Sequence, residues 1–145
     1  MQGLETLSLR MERHCENAEK VAAYLKQHEA VNWVNYAALP ESEHFETCQR
    51  ICGGKAAGII SFGIKGGVPA GSKFIDALAL ILRLVNIGDA KSLACHPAST
   101  THRQLNAEEL ASAGVSEDMV RISVGIEHID DIIADIEQAL SASQR

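Results

Sequence analysis

The chain has 145 residues, the size of one ordinary domain, and 46% of them are apolar, enough to fill a core. A net charge of −6 excludes a broad nucleic-acid surface, because phosphate binding needs clustered positive charge. The longest strongly apolar segment, Ala77 to Leu82, is too short to cross a membrane, and the first residues form no secretion signal. Four cysteines are too few for a disulfide scaffold, which indicates reduced thiols and a cytoplasmic protein.

The chain opens on a helical pattern. Apolar residues recur every three to four positions, which predicts one amphipathic helix from about Gly3 to His28. This apolar stripe consists of Leu4, Leu7, Met11, Cys15, Ala18, Val21, Ala22 and Leu25. No capping residue or lead-in strand precedes it, so we expect the chain to be a piece of a longer protein.

The next segments alternate between strand and helix patterns. Residues Val31 to Tyr36 alternate as a short strand, and a second helix follows from about Glu41 to Cys52. The segment Ala57 to Lys65 is apolar on both faces, which is typical of a buried strand. A third helix is predicted from about Pro69 to Val85, with proline at a favourable first-turn position.

The second half continues the alternation. A short strand is predicted at Ser92 to His96, a loop at Pro97 to Arg103, and a short helix from Asn106 to Gly114. Residues Val120 to Val124 alternate cleanly as a strand, and a last helix follows, with a frayed tail beyond Ser141. That helix has an apolar stripe formed by Ile129, Ile132, Ile133, Ile136 and Leu140. The order predicts a single α/β (α+β) sandwich, with a sheet of about four strands covered by helices.

Two groups of side chains have the residue types of metal ligands. His44, Cys48 and Cys52 share a helical face, but residues eight apart are separated by ~12 Å, too far for one ion to bind both. The two cysteines are better interpreted as small buried hydrophobes. His96 and His102 match no zinc spacing and are expected to be loop histidines satisfied by backbone hydrogen bonds.

Arg121 is the most informative single residue. Its neighbours Val120 and Ile122 point to the core, so Arg121 projects from the other sheet face together with Ser123 and Gly125. A guanidinium pairs bidentately with a carboxylate, which suits recognition of an amino-acid α-carboxylate. A structural salt bridge is the alternative, and the spacing alone favours the salt bridge over a carboxylate site.

Three sequence blocks together carry a family resemblance. They are GLETLSLRMERHCENAEKVAAYL (Gly3 to Leu25), NIGDAKSLACHPASTTHRQL (Asn86 to Leu105) and VRISVGIEHIDDIIADIEQAL (Val120 to Leu140). They resemble the C-terminal domain of the Cys/Met-metabolism enzymes that use pyridoxal phosphate, a family with cystathionine synthases and lyases, methionine γ-lyase and O-acetylhomoserine sulfhydrylase. The start of the second block, Asn86-Ile87-Gly88 followed by Asp-Ala-Lys-Ser-Leu, is similar to the sulfhydrylase branch.

The resemblance implies a fold and a set of site residues. Residues 1–145 would be the small substrate-binding domain of a fold-type I pyridoxal-phosphate-dependent transferase, with the larger N-terminal cofactor domain absent. Arg121 matches the arginine that clamps the substrate α-carboxylate. Asn86, the backbone of Ile87 and Thr101 match residues lining the same pocket. His96, Pro97 and His102 match motif positions that we take as structural support.

The resemblance also implies a cofactor. The family attaches pyridoxal phosphate through a lysine in a Ser-x-Thr-Lys context, and no lysine of this chain lies in one; the lysines are Lys20, Lys26, Lys55, Lys65, Lys73 and Lys91. No catalytic residue is therefore assigned here, and we expect the isolated chain to be inactive. The implied parent enzyme converts O-acetylhomoserine plus sulfide or methanethiol to homocysteine or methionine plus acetate.

Alternative functions and the expected partners follow from the same resemblance. A cystathionine γ-synthase or γ-lyase, a methionine γ-lyase, and a free-standing small-molecule-binding α/β domain remain alternatives. The expected partners are an amino-acid substrate and the protein's own N-terminal pyridoxal phosphate domain, in a homotetrameric parent. Without that domain, an apolar patch on the first helix and on the sheet face of Arg121 is expected to favour self-association.

Overall fold

The computed structural model describes residues 2–86, 88–100, 104 and 107–145. Its helices are α1 (Gln2–Glu5), α2 (Leu7–Gln27), α3 (Phe45–Cys52), α4 (Gly67–Ala77), α5 (Ala107–Ser112) and α6 (Ile129–Ser143), with a 3₁₀ turn at Pro97–Ser99. Its strands are β1 (Val31–Asn35), β2 (Ile59–Ile64), β3 (Leu82–Arg83), β4 (Leu93–Cys95) and β5 (Met119–Ser123). The strands form one sheet in the order β1-β2-β5-β4-β3, antiparallel throughout except for the parallel pair β3 and β4.

The two faces of this sheet differ. One face packs against α2, α4 and α6, and its strand residues are fully buried: Ile60, Phe62, Ile64, Val120 and Ile122. We call it the covered face. Alternate residues of β2 and β5 point to the opposite, open face: Ile59, Ser61, Arg121 and Ser123. The helix-covered sandwich is confirmed, but β2 is not buried on both sides as predicted, because Ile59 remains 50% exposed.

The third helix is shorter than predicted, and the sheet has five strands rather than about four. The helix ends at Ala77, not near Val85, and Leu82–Arg83 forms β3 beside β4. The physical reason lies on α6. The Asp135 carboxylate accepts the backbone N–H groups of Ala79, Leu80 and Ile81, which therefore do not continue the helix.

Other helix boundaries also differ from the predictions. The second helix begins at Phe45 instead of Glu41, because Ser42 Oγ accepts the backbone N–H of His44 at 3.2 Å and holds a turn. The first helix breaks at Thr6, and the start of its apolar stripe is not buried, since Leu4 is 70% exposed. The tail stays helical as far as Ser143, and the proposed cap Asn106 lies outside the described residues.

The candidate metal ligands differ in their exposure. Cys48 is buried, and burial raises the pKa of its thiol, whereas Cys52 is exposed, contrary to expectation. His96 is fully buried, with Nε2 at 2.9 Å from the Glu117 carbonyl oxygen and Nδ1 at 2.9 Å from Ser99 Oγ, which confirms a satisfied histidine. His102 lies outside the described residues. Within the described ranges, no three His, Cys, Asp or Glu side chains are close enough to hold a metal.

One further property concerns membranes. In the part of the chain that the structure describes, none of the helices is both long enough and apolar enough to form a membrane span.

Candidate functional site

Arg121 lies in the middle of the open face. Its strand, β5, runs between β2 and β4, and its cross-strand partners are Ser61 and Cys95. Both neighbours have short side chains, so the longer guanidinium extends beyond them and is exposed to solvent. Among the described residues, the guanidinium has no ion pair or hydrogen bond. The structural salt bridge considered as an alternative is therefore not present in the described part of the chain.

A wall of three residues stands beside this guanidinium. Leu84, Val85 and Asn86 follow β3 and line a shallow hollow with Arg121. The hollow has a volume of about 30 Å³ and is completed by Ile59, Leu93, Cys95 and Ser123. A space of this size holds about one water molecule, so the described residues do not enclose an amino acid by themselves.

Asn86 belongs to a turn with its own hydrogen bonds. Its side-chain nitrogen donates to Asp89 Oδ2 at 3.2 Å, and the backbone N–H of Lys91 donates to Asp89 Oδ1 at 3.0 Å. These two bonds, the backbone one first, lower the pKa of the Asp89 carboxyl below its ordinary value. The turn therefore presents Asn86 in a defined orientation.

A second hollow adjoins the first. It measures about 260 Å³, shares Ile59, Asn86 and Ser123 with the smaller one, and extends to Met11 and His14 of α2. His14 Nδ1 lies 2.6 Å from the Val124 carbonyl oxygen, so the ring ties α2 to the end of β5. The two hollows together provide a groove of amino-acid size that runs away from Arg121.

The surroundings of Arg121 favour binding of a carboxylate. Val85 is 53% exposed and Ile59 is 50% exposed, so apolar groups flank the guanidinium without neutralising it. An ion pair formed beside apolar groups is less screened by water once a ligand or a second domain covers it. The guanidinium offers two parallel donors, which match the planar oxygens of a carboxylate.

The structure describes two of the four predicted site residues and brings them together. Arg121 and Asn86 line the same hollow. Ile87 and Thr101 lie outside the described residues. Sequence reasoning missed Ile59, Leu84 and Val85. The segment around Ser61 is apolar on both faces, so no alternation in the sequence indicated Ile59. Leu84 and Val85 were missed because the third helix was predicted to continue as far as Val85.

Pyridoxal phosphate is held in its enzymes by a lysine, and the lysines of this chain do not fit that role. All six are exposed, and none lines the two hollows beside Arg121. Lys20 and Lys55 form ion pairs with Glu16 and Glu12 at 3.0 Å and 3.7 Å, and Lys26 pairs with Glu41. These side chains are solvated surface charges.

A sequence profile described as "Cys/Met metabolism PLP-dependent enzyme" matches residues 1–141. The chain belongs to this family. Its Cys/Met-metabolism relatives include an O-acetyl-L-homoserine sulfhydrylase of Leptospira meyeri, 54% identical over 97% of this chain and 32% of the relative. The O-acetyl-L-homoserine sulfhydrylase 1 of Thermus thermophilus is 50% identical over 96% of this chain and 33% of the relative. An L-methionine gamma-lyase of Pseudomonas deceptionensis is 47% identical over 98% of this chain and 35% of the relative.

A solved structure of the same family matches the fold. A Campylobacter jejuni protein assigned as an O-acetylhomoserine (thiol)-lyase, with a pyridoxyl-lysine phosphate, superposes with a TM-score of 0.90 at 42% identity. The match covers 97% of this chain and 33% of that one. The chain thus spans about a third of the length of the relatives that it matches.

Proposed function

We propose that this chain forms the substrate-carboxylate-binding part of a pyridoxal-phosphate-dependent γ-replacement enzyme. The reaction would convert O-acetylhomoserine and sulfide or methanethiol to homocysteine or methionine and acetate. The observation that carries the proposal is the exposed guanidinium of Arg121, which lines a hollow on the open face together with Asn86. The identity to several sulfhydrylases supports the choice of reaction.

Each site residue has a proposed role. Arg121 binds and orients the α-carboxylate through two parallel hydrogen bonds, which fixes the direction in which the substrate side chain extends. Asn86 lines the same hollow, and the backbone of Ile87 and the side chain of Thr101 are assigned to the same pocket from their motif positions. None of these residues is proposed to exchange a proton or form a covalent bond with the substrate.

We assign the cofactor to another part of a longer protein. Residues 1–145 would be its C-terminal substrate-binding domain, and an N-terminal domain would hold pyridoxal phosphate. The exposed lysines and the threefold greater length of the relatives support this division. The exposed apolar side chains of Ile59, Leu84 and Val85 support coverage of the open face by that domain in a homotetramer. Four free cysteines are consistent with a cytoplasmic location.

The chain alone is therefore expected to be inactive. Incubation with pyridoxal phosphate, borohydride reduction and mass spectrometry should give no stable lysine adduct at one site. A stoichiometric adduct on a single lysine would contradict the division of labour between two domains.

The decisive experiment replaces Arg121 in the longest natural form of the protein. We expect Arg121→Ala to raise KM for O-acetylhomoserine by about a hundredfold, because a charge-assisted bidentate contact is lost, and Arg121→Lys to recover part of it. Arg50→Ala is the matched control, since Arg50 is an exposed arginine in the last turn of α3 and lines neither hollow, and we expect it to leave KM unchanged. Equal KM values for the Arg121 and Arg50 variants would refute the proposal.

A methionine γ-lyase is the second candidate, favoured by the relative of that name. Product analysis separates the two: the sulfhydrylase releases acetate and forms a thioether or thiol amino acid, whereas the lyase releases a thiol, ammonia and a keto acid from methionine. We expect acetate release to dominate.

A further inference from the structure

The segment that forms the wall of the candidate site, described at residues 79–86 and 88–92, is tied to the fold by a carboxylate near each end. We propose that Asp135 and Glu127 are positioning residues that hold this wall, and with it Asn86, at its place beside Arg121. The inference rests on the proposed function for its catalytic consequence, but its structural part can be tested independently.

Asp135 holds the beginning of the segment. It lies on α6, is only 6% exposed, and accepts three consecutive backbone N–H groups: Ala79 at 2.9 Å on Oδ1, Leu80 at 3.0 Å on Oδ2 and Ile81 at 2.9 Å on Oδ2. Gln138 Nε2 donates to the same Oδ1 at 3.0 Å. One side chain thus fixes the backbone direction just before β3.

Glu127 holds the other end. Its Oε1 accepts the backbone N–H of Ser92 at 2.7 Å, and its Oε2 accepts the Ser92 hydroxyl at 2.9 Å. Ser92 Oγ in turn accepts the backbone N–H of Gly125 at 2.8 Å. A Cβ at Gly125 would collide with Glu127 and with the backbone of residues 90 and 92, so the close approach requires glycine.

Between these ends, packing restrains the segment weakly. The strand β3 has two residues, and Leu82, Leu84 and Val85 all keep more than a third of their surface exposed. Besides the parallel pairing of β3 with β4, two backbone bonds hold this stretch, Leu82 N–H to the Ser92 carbonyl at 3.0 Å and Ile126 N–H to the Ala90 carbonyl at 2.9 Å, and the Arg83 side chain pairs with Asp76 at 3.1 Å. The carboxylate contacts at the two ends add five hydrogen bonds to these restraints, and we infer that they help to fix where Asn86 stands.

Neither carboxylate lines the two hollows beside Arg121. Asp135 packs among the helices of the covered face, and Glu127 faces Ser92. They act through the wall and not on a ligand, so their loss should weaken binding more than it slows the later steps.

The test uses Asp135→Asn in the longest natural form of the protein. The two carboxylate oxygens of Asp135 now accept three backbone N–H groups. The asparagine amide has one oxygen, and its NH₂ group cannot accept, so at least one backbone N–H would be left unpaired. We expect amide hydrogen exchange in peptides spanning residues 79–86 to accelerate about tenfold or more. We also expect KM for O-acetylhomoserine to rise about tenfold with kcat changed less than about threefold. Asp131→Asn, exposed on the same helix, should change neither.

Glu127→Gln is the second variant and the milder one, since the Ser92 hydroxyl can rotate to meet an amide. It should accelerate amide hydrogen exchange at residue 92 and raise KM for O-acetylhomoserine by about threefold to tenfold. If Asp135→Asn does not fold, this variant alone tests whether the carboxylates position the wall. Unchanged exchange in both variants overturns the inference. Faster exchange with unchanged KM also overturns it, and leaves the proposed function intact if Arg121→Ala still raises KM.

Discussion

The covered and open faces of the sheet are built from the same strands but have different roles, one in folding and one in binding. Along β2 and β5, residues such as Phe62 and Ile122 enter the helix-packed core, while their immediate neighbours Ser61 and Arg121 emerge on the other side. The covered face supplies the burial that stabilises the fold. The open face has, on Arg121, a charge with no partner among the described residues, set among exposed apolar groups, an arrangement that adds little stability but suits a ligand or a second domain.

The largest contrast is expected between neighbouring positions of β2. Phe62 is fully buried, with its ring edge-on to Phe74 at 5.7 Å, so Phe62→Ala should lower the free energy of unfolding by about 3–5 kcal/mol. Ser61→Ala, one residue away on the open face, should change it by less than about 0.5 kcal/mol. Urea denaturation checks both, and a similar loss at the two positions would contradict the distinction between the faces.

Trp33 covers one end of the open face at Gly63, and a substitution of this glycine tests that contact. A Cβ at Gly63 would collide with the Trp33 indole and the Asp118 carboxylate, which are joined by a hydrogen bond of 3.1 Å. Gly63→Ala should therefore cost about 1–3 kcal/mol of unfolding free energy through overpacking. Gly3→Ala, at an exposed helical position, should be neutral or slightly stabilising. A neutral Gly63→Ala would mean that Trp33 does not cover this end.

Arg121 should be dispensable for folding. Because the guanidinium is exposed and has no partner among the described residues, Arg121→Ala should change the free energy of unfolding by less than about 0.5 kcal/mol. The same variant is expected to lose substrate binding, so stability and KM should separate. A loss above about 1.5 kcal/mol in urea denaturation would point to a structural ion pair instead.

The smallest effect concerns pH. The pKa of Asp89 is lowered in the folded chain from its ordinary value of 3.8, chiefly by the N–H of Lys91 and then by Asn86. A lowered pKa means that the turn gains its full stabilisation above pH 3.8 and loses it as the pH falls through the folded value. NMR titration should place the Asp89 midpoint below 3.8, with the Lys91 amide signal following it. Asp89→Asn should abolish that response of the amide.

Local patterns predicted some of these features well. The alternation around Arg121 placed it on the face opposite the core, and the isoleucine stripe of α6 predicted the last helix. The prediction that the third helix continues from Leu80 to Val85 was wrong. The pattern is helical, but Asp135, more than fifty residues away in sequence, binds the backbone N–H groups at the start of this stretch. The exposure of Ile59 could not be predicted from β2 either, since a strand's own residues do not specify whether a second layer covers it.

The single tryptophan of the chain stands over Gly63, half-buried and hydrogen-bonded to Asp118. Its emission therefore comes from one known place, about two residue steps along the strands from the guanidinium. Fluorescence quenching by iodide or acrylamide gives an intrinsic optical signal of whether a second protein layer has settled over that surface, with no added dye.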